Sequence, residues 1–173
     1  MSTVTLKGNV CKLEGNEINV GDQAPEITVV RSEDLSETRV GGAGRNAQLI
    51  IAVPSLDTPV CATETARFNK RVAGIDGLEV TAVSMDLPFA AKRFCTTEGI
   101  ENLTAASDFR NKDFVRAYGV LMADGPLAGI ISARAIFAID RDGRVAYKQA
   151  VPEITEEPDY DEALEAAKAA AAK

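Results

Sequence analysis

The chain of 173 residues contains no histidine. That single absence removes Cys-His and Ser-His-Asp nucleophile pairs, His-ligated zinc and the commonest general base. Cysteine is scarce, with only Cys11, Cys61 and Cys95. An odd and sparse set argues against a secreted disulfide framework, and three widely spaced thiols without histidine make a poor zinc site. Long apolar runs are missing too: the longest, LIIAV, falls far short of the ~20 residues that span a bilayer. The opening MSTVTLKGNVCKLEG has no basic stretch followed by an apolar core, so no secretory signal is expected. Positive charge is in the minority, 19 basic against 26 acidic residues for a formal charge of −7. Such a surface repels a phosphate backbone or anionic lipid, so neither nucleic acid nor membrane is expected as a partner. The expectation is a single cytoplasmic domain over residues 1–173, with no low-complexity linker and no internal repeat.

Two motifs fail on context. GAGRNA, Gly42 to Ala47, fits a dinucleotide-binding pattern, but it leads into an apolar run instead of following a strand and opening a helix. Asn102-Leu103-Thr104 is a glycosylation sequon that a chain without a signal peptide never presents to that machinery.

What is present alternates between strand and helix patterns. TVTLKGNVCKLEG reads as a hairpin turning at Gly8 and Asn9, and ITVV as a short strand. AQLIIAVP and LEVTAVSM are continuous apolar runs of the kind that fully buried strands show. Between them, Cys61, Thr65, Phe68, Val72 and Ile75 fall at helical spacing, with Glu64, Arg67, Lys70 and Arg71 placed elsewhere on the cylinder. PFAAKRFCTTEG starts with proline and ends with glycine, as a short helix does, and carries Cys95 near its end. NLTAASD reads as a strand, NKDFVRAYG as a short helix, RAIFAID-RDG-RVAYKQA as a hairpin turning at Asp142 and Gly143, and PDYDEALEAAKAAAAK as a closing helix. The sum is an α/β chain, a mostly parallel sheet with antiparallel strands added by the closing hairpin. Such a central mixed sheet, flanked by helices and preceded by an N-terminal β-hairpin, suits a thioredoxin-like fold.

Cys61 stands out in PSLDTPVCATE. A residue before proline is pushed out of the helical region, so Thr58 suits an N-cap and Pro59 the first helical position. Cys61 then occupies the third, where N–H groups lack helical partners and the helix dipole favours an anion. Thr58 is expected beside the sulfur. The competing reading is a small core residue, since Cys61 lies on the apolar stripe and Glu64 one turn later would repel a thiolate. Arg134 lies in SARAIFAID, an otherwise apolar strand. If buried it needs an anionic partner, and if on an edge strand it faces solvent.

PSLDTPVC sets Pro54, Thr58 and Cys61 at the P-x-x-x-T-x-x-C spacing, and in this it resembles the peroxiredoxins. The likeness is closer to their bacterial thiol peroxidase subfamily, the atypical two-cysteine type. It extends through SMDLPFAAKRFC, SDFRNKDFVRAYGV, ADGPLAGIISARAIFAID and EITEEPDYDEAL, nearly the whole chain. The resemblance implies that Cys61 attacks a hydroperoxide and becomes a sulfenic acid, and that Cys95 resolves it through an intramolecular disulfide. It implies a thioredoxin-like protein as reductant, a homodimer, and no metal, haem or flavin. Thr58 resembles the hydroxyl that bonds the sulfur and the peroxide oxygen, Pro54 the residue that shields the centre, and Arg134 the arginine that holds the thiolate. Cys11 has no counterpart. Ala66 departs from a pattern where arginine is frequent, with Arg67 next to it.

Other readings are less consistent with the residues. A dithiol oxidoreductase would show Cys-x-x-Cys. A redox switch has no use for the Pro54–Thr58–Cys61 arrangement, and a thioredoxin-like scaffold with inert thiols is the alternative that thiol titration distinguishes. Bridging two cysteines requires their Cα atoms within ~7 Å, so one or both of the segments carrying Cys61 and Cys95 are expected to unwind on oxidation. Amide hydrogen exchange should then rise around residues 58–66 and 90–98 in oxidised protein, and equal protection in both redox states would overturn that expectation.

Overall fold

The computed structural model describes residues 2–173. The N-terminal hairpin pairs β1 (Thr3–Leu6) with β2 (Asn9–Glu14). Its turn is Lys7-Gly8, one residue earlier than the sequence indicates. Both residues have positive φ, 51° and 79°, as a two-residue hairpin turn requires, and Asn9 already belongs to β2. The next pair is β3 (Ile27–Arg31) and β4 (Glu37–Val40). Then follow β5 (Ala47–Ala52), α1 (Pro59–Val72), β6 (Leu78–Ser84), α2 (Pro88–Glu98) and β7 (Thr104–Ser107). The short α3 (Asp113–Ala117) leads to the two-residue β8 (Leu121–Met122). The hairpin β9 (Ala135–Ile139) and β10 (Val145–Ala150) precedes α4 (Tyr160–Ala172).

Seven strands form the main sheet in the order β10-β9-β5-β6-β7-β3-β4, and β1-β2-β8 form a small second sheet. Only β5–β6 and β6–β7 are parallel, and the other ladders of the main sheet are antiparallel. The sheet is therefore mixed rather than mostly parallel. The antiparallel ladders lie on both flanks, β9 and β10 beside β5 and β3 and β4 beside β7, and the short, charged and exposed ETRV of β4 does not read as a strand. Both outer strands are irregular or polar: β10 carries a bulge between Val145 and Tyr147, and β4 presents Glu37 and Arg39.

Strand pleating sorts the core into two layers. Leu49, Ile51 and Val53 face one side with Phe68 of α1, Ile136 of β9 and Leu164 of α4. Ile50 and Ala52 face the other with Phe137, Ile139, Phe114, Tyr118 and Met122. Tyr118 stacks on Phe114 at 4.5 Å, meets Phe137 edge-on at 5.0 Å and donates its hydroxyl to the Pro25 carbonyl at 2.9 Å. Gly119 closes α3 with φ 65°, and a Cβ there would lie 2.4 Å from the Asn16 oxygen, so glycine is required on two counts. The N-termini of α1 and α2 follow the carboxyl ends of the parallel strands β5 and β6, where ligand crevices form in α/β sheets.

The small hairpin is fastened by one carboxylate. Glu153 accepts from Gly8 N–H at 3.0 Å, Lys7 N–H at 3.1 Å and the Thr5 hydroxyl at 2.9 Å. It also accepts the Thr155 hydroxyl at 2.7 Å and its N–H at 3.1 Å. These donors, the Gly8 N–H foremost, favour the anion and lower its pKa to about 2. The hairpin anchor is thus complete above the ordinary glutamate range of about 4.3 and is lost as pH falls through about 2. An NMR titration of the Glu153 carboxylate should give a midpoint near 2, and an ordinary glutamate midpoint would show that the anchor is not formed in solution.

Candidate active site

Alpha helix 1 begins where the sequence indicates. Thr58 is the N-cap with φ −116° and ψ 147°, Pro59 takes the first helical position, and the Thr58 carbonyl accepts the first helical bond from Ala62 N–H at 2.9 Å. The N–H groups of Val60 and Cys61 therefore precede the helical ladder, and their dipoles add to the positive end beside the sulfur. Cys61 itself is fully buried in the layer beneath α1, so the core reading is correct about its location. Burial does not leave it among hydrocarbon alone, because Arg134 Nη2 lies 3.4 Å from Cys61 Sγ.

Arg134 is only 1 % exposed and stands immediately before β9, an inner strand, which eliminates the solvent-facing alternative. Its neighbours Ala133 and Ala135 are small and fully buried, leaving room for the long side chain. Every nitrogen of the guanidinium has a partner. Nε and Nη2 donate to the Ile154 carbonyl at 3.2 and 2.8 Å, Nη2 also reaches Cys61 Sγ, and Nη1 donates to Glu64. Burial works against its charge, yet Glu64 and Cys61 outweigh that and raise its pKa further, so the cation persists.

Glu64 is a correction to the sequence expectation, which placed it among the charged residues off the buried face. It is fully buried, three residues after Cys61 on the same helix face, and shares Arg134 with the sulfur. Burial raises its pKa to about 7 against the opposing pull of Arg134, and one of its oxygens, Oε1, has no hydrogen-bond partner. A carboxylate within the apolar stripe of α1 is the signal that would have revealed it. Arg67, the neighbour of Ala66, instead joins Glu157 at 3.1 Å and lies over the Tyr160 ring at 5.5 Å, tying α1 to the segment before α4.

The loop ahead of Cys61 is pinned from below. Pro54 is buried, and the Val53 carbonyl before it accepts the Ser132 hydroxyl at 3.0 Å. Thr58 is exposed, and its hydroxyl donates to the Ser55 carbonyl at 3.0 Å rather than to the sulfur. Asp86, at the end of β6, accepts the Ser55 hydroxyl at 2.7 Å and the Leu56 N–H at 2.8 Å. Nothing in the sequence marks Asp86 beyond its position just after a buried strand.

All three cysteines are free. Cys95 is half-buried on α2, packs against the same apolar layer that holds Cys61, and borders a broad surface groove with Lys92, Thr96 and Asn102. Burial raises its pKa. Cys11 is buried in β2 in the opposite layer, so the fold separates it from the other two. The site thus combines a buried sulfur at the head of a helix, a permanent cation on it, and a second thiol at the surface of the same layer. That arrangement equips the sulfur for nucleophilic attack on an electrophilic oxygen.

A family model described as Redoxin matches residues 19–164. A thiol peroxidase from Aquifex aeolicus is 60% identical over 162 residues, covering 94% of this chain and 94% of the relative. A thiol peroxidase from Campylobacter jejuni is 57% identical over 159 residues, 92% of this chain and 89% of the relative. The crystal structure of a peroxiredoxin-like protein from Aquifex aeolicus superposes with a TM-score of 0.94 at 58% identity, covering 98% of this chain and 97% of that one.

The raised Glu64 pKa has a definite sign. Between about 4.5 and about 7 the native state holds a proton that the unfolded chain releases, so stability falls as pH rises through that window. Glu64→Gln keeps an acceptor for Arg134 without the titration. Its denaturation midpoint should be flatter than the wild type's across that pH range, and superimposable profiles would count against a buried, titrating Glu64.

Proposed function

This chain belongs to the Redoxin family and, within it, to the thiol peroxidases of the peroxiredoxins, and from that premise we propose the residues that carry its thiol-dependent reduction of peroxides. Cys61 is the attacking sulfur. Its thiolate takes the distal oxygen of ROOH, the O–O bond breaks, and the departing alkoxide leaves as ROH after gaining a proton. The sulfur is oxidised by two electrons to the sulfenic acid. The observation that carries this reading is the 3.4 Å contact of Arg134 Nη2 with a buried Cys61 Sγ at the head of α1.

Arg134 holds the anion and, with the free N–H groups of Val60 and Cys61, stabilises the charge that develops on the peroxide oxygens. Thr58 orients the peroxide, its exposed hydroxyl turning from the Ser55 carbonyl toward substrate. Pro54, buried in the wall of the site, keeps water from the reacting sulfur. Cys95 then attacks the sulfenic sulfur, the S–S bond forms and water leaves. A thioredoxin-like dithiol reduces the Cys61–Cys95 disulfide by exchange, reaching it through the groove that Cys95 borders.

Placement in the cytoplasm follows from that reductant. The proposal also includes a homodimer. Leu87, Phe89, Phe109 and Ile130 are each about half or more exposed. The Ser107–Asp86 and Lys112–Gly129 hydrogen bonds bring together the loops that carry them, giving a second copy an apolar surface to cover.

Peroxide consumption with a thioredoxin-type reductant tests the assignment. Cys61→Ser should abolish turnover, Cys95→Ser should allow one oxidation without recycling, and Cys11→Ser should be indistinguishable from wild type. Full activity in Cys61→Ser would reject the attacking role, and normal recycling in Cys95→Ser the resolving one.

A further inference from the structure

Resting on the reading of Cys61 and Cys95 just given, we propose that Asp86 is a positioning residue that latches the loop ahead of Cys61 to the root of the helix carrying Cys95. In this role it favours reaction with peroxide and opposes disulfide formation. Its side chain is a hub. Oδ1 accepts the Ser55 hydroxyl at 2.7 Å, and Oδ2 accepts both the Leu56 N–H at 2.8 Å and the Ser84 hydroxyl at 2.8 Å. Its own N–H donates to Ser84 Oγ at 3.2 Å, and its carbonyl accepts the Ser107 hydroxyl at 2.6 Å. Asp86 is thus anchored to the ends of β6 and β7 while its carboxylate grips the loop ahead of Cys61.

The grip reaches the chemistry through one further residue. Ser55 Oγ, held by Asp86, accepts the Asp57 N–H at 3.2 Å, and the Ser55 carbonyl accepts both the Thr58 N–H at 3.2 Å and the Thr58 hydroxyl at 3.0 Å. Loss of Asp86 therefore frees the turn that sets the Thr58 hydroxyl and the start of α1. On the other side, α2 starts two residues after Asp86, with Leu87 as its N-cap. Its own packing is slight, since Ala91 is its one fully buried residue. A second link between the two segments, Arg93 to Asp57 at 3.9 Å, is solvent-exposed and weak. The Asp86 latch ties the Cys61 loop to the segment that ends two residues ahead of the Cys95 helix, whose far end is held separately by Asn69 of α1 through Gly99.

Disulfide formation is expected to draw one or both segments from their present places, so a contact made in the reduced arrangement and broken on bridging slows that step. The Cys61 sulfenic acid then survives longer and is open to a second peroxide, which transfers its oxygen to give the sulfinic acid and leaves as ROH. The latch sets the balance between attack on peroxide and escape from over-oxidation.

Stopped-flow oxidation of the full chain by hydrogen peroxide separates a peroxide-dependent phase, sulfenic acid formation, from a peroxide-independent phase, disulfide formation. Asp86→Ala should slow the first and quicken the second, each by about tenfold, the size of one lost charge-assisted hydrogen bond. It should also raise the peroxide concentration that gives half-maximal sulfinic acid, read as mass gain. Ser55→Ala, which breaks the grip and leaves Asp86 in place, should move both phases the same way by less. Two phases that slow together, or neither changing, would overturn the latch, which requires the two phases to move in opposite directions. If the second phase persists in Cys95→Ser, the resolving assignment falls. The latch is then judged on the first phase alone, which Asp86→Ala must still slow.

Discussion

A guanidinium cannot shed its charge, so an arginine sealed inside a protein dictates what surrounds it. Arg134 is such a residue, and the architecture around Cys61 is organised to satisfy it. The Ile154 carbonyl takes two of its donors, Glu64 takes a third, and the sulfur receives what remains. Removing any of these leaves an uncompensated buried group, which is among the most destabilising changes a core can suffer. The cation in turn connects three parts of the chain that are distant in sequence: the start of β9, the first turn of α1 and the segment before α4.

Glu64 and the sulfur are competitors for that cation. A full negative charge on both would leave the buried cluster with excess anion, and burial already shifts Glu64 toward its protonated form. The proton on Glu64 therefore belongs to the electrostatics of the sulfur as much as to those of the carboxylate. Around this centre the sheet supplies rigidity, through β9 buried throughout and β5 buried but for Gln48, while α2 is the lightly packed element, with Ala91 its one fully buried residue.

Much of this was legible in the residues. The apolar runs at β5 and β6, the Thr58-Pro59 helix start and the proline-to-glycine span of α2 are local signals, and each element formed where its signal lay. Cys61 and Arg134 were also visible, one by its place at a helix head and the other by its charge in an apolar strand. What stayed hidden depended on tertiary partners. β4 is a strand only because β3 lies beside it, and β8 is two residues long. Glu64 has the sequence signature of a surface charge, and only the arrival of Arg134 from residues far along the chain makes its burial tolerable. Asp86 follows a strand with nothing to mark it until Ser55 and Leu56 fold back onto it.

The two outer strands of the main sheet have a significance beyond the fold. A sheet's rim is a template on which another chain can polymerise, and the danger grows when neighbouring helices loosen repeatedly. Here one rim is bent by the bulge between Val145 and Tyr147, and the other carries Glu37 and Arg39, tied to Arg110 and Glu26. Neither offers a flat, apolar ribbon for a stranger to extend. The margins of the sheet are thus built against edge-to-edge aggregation, the hazard that loosening of α1 and α2 would bring.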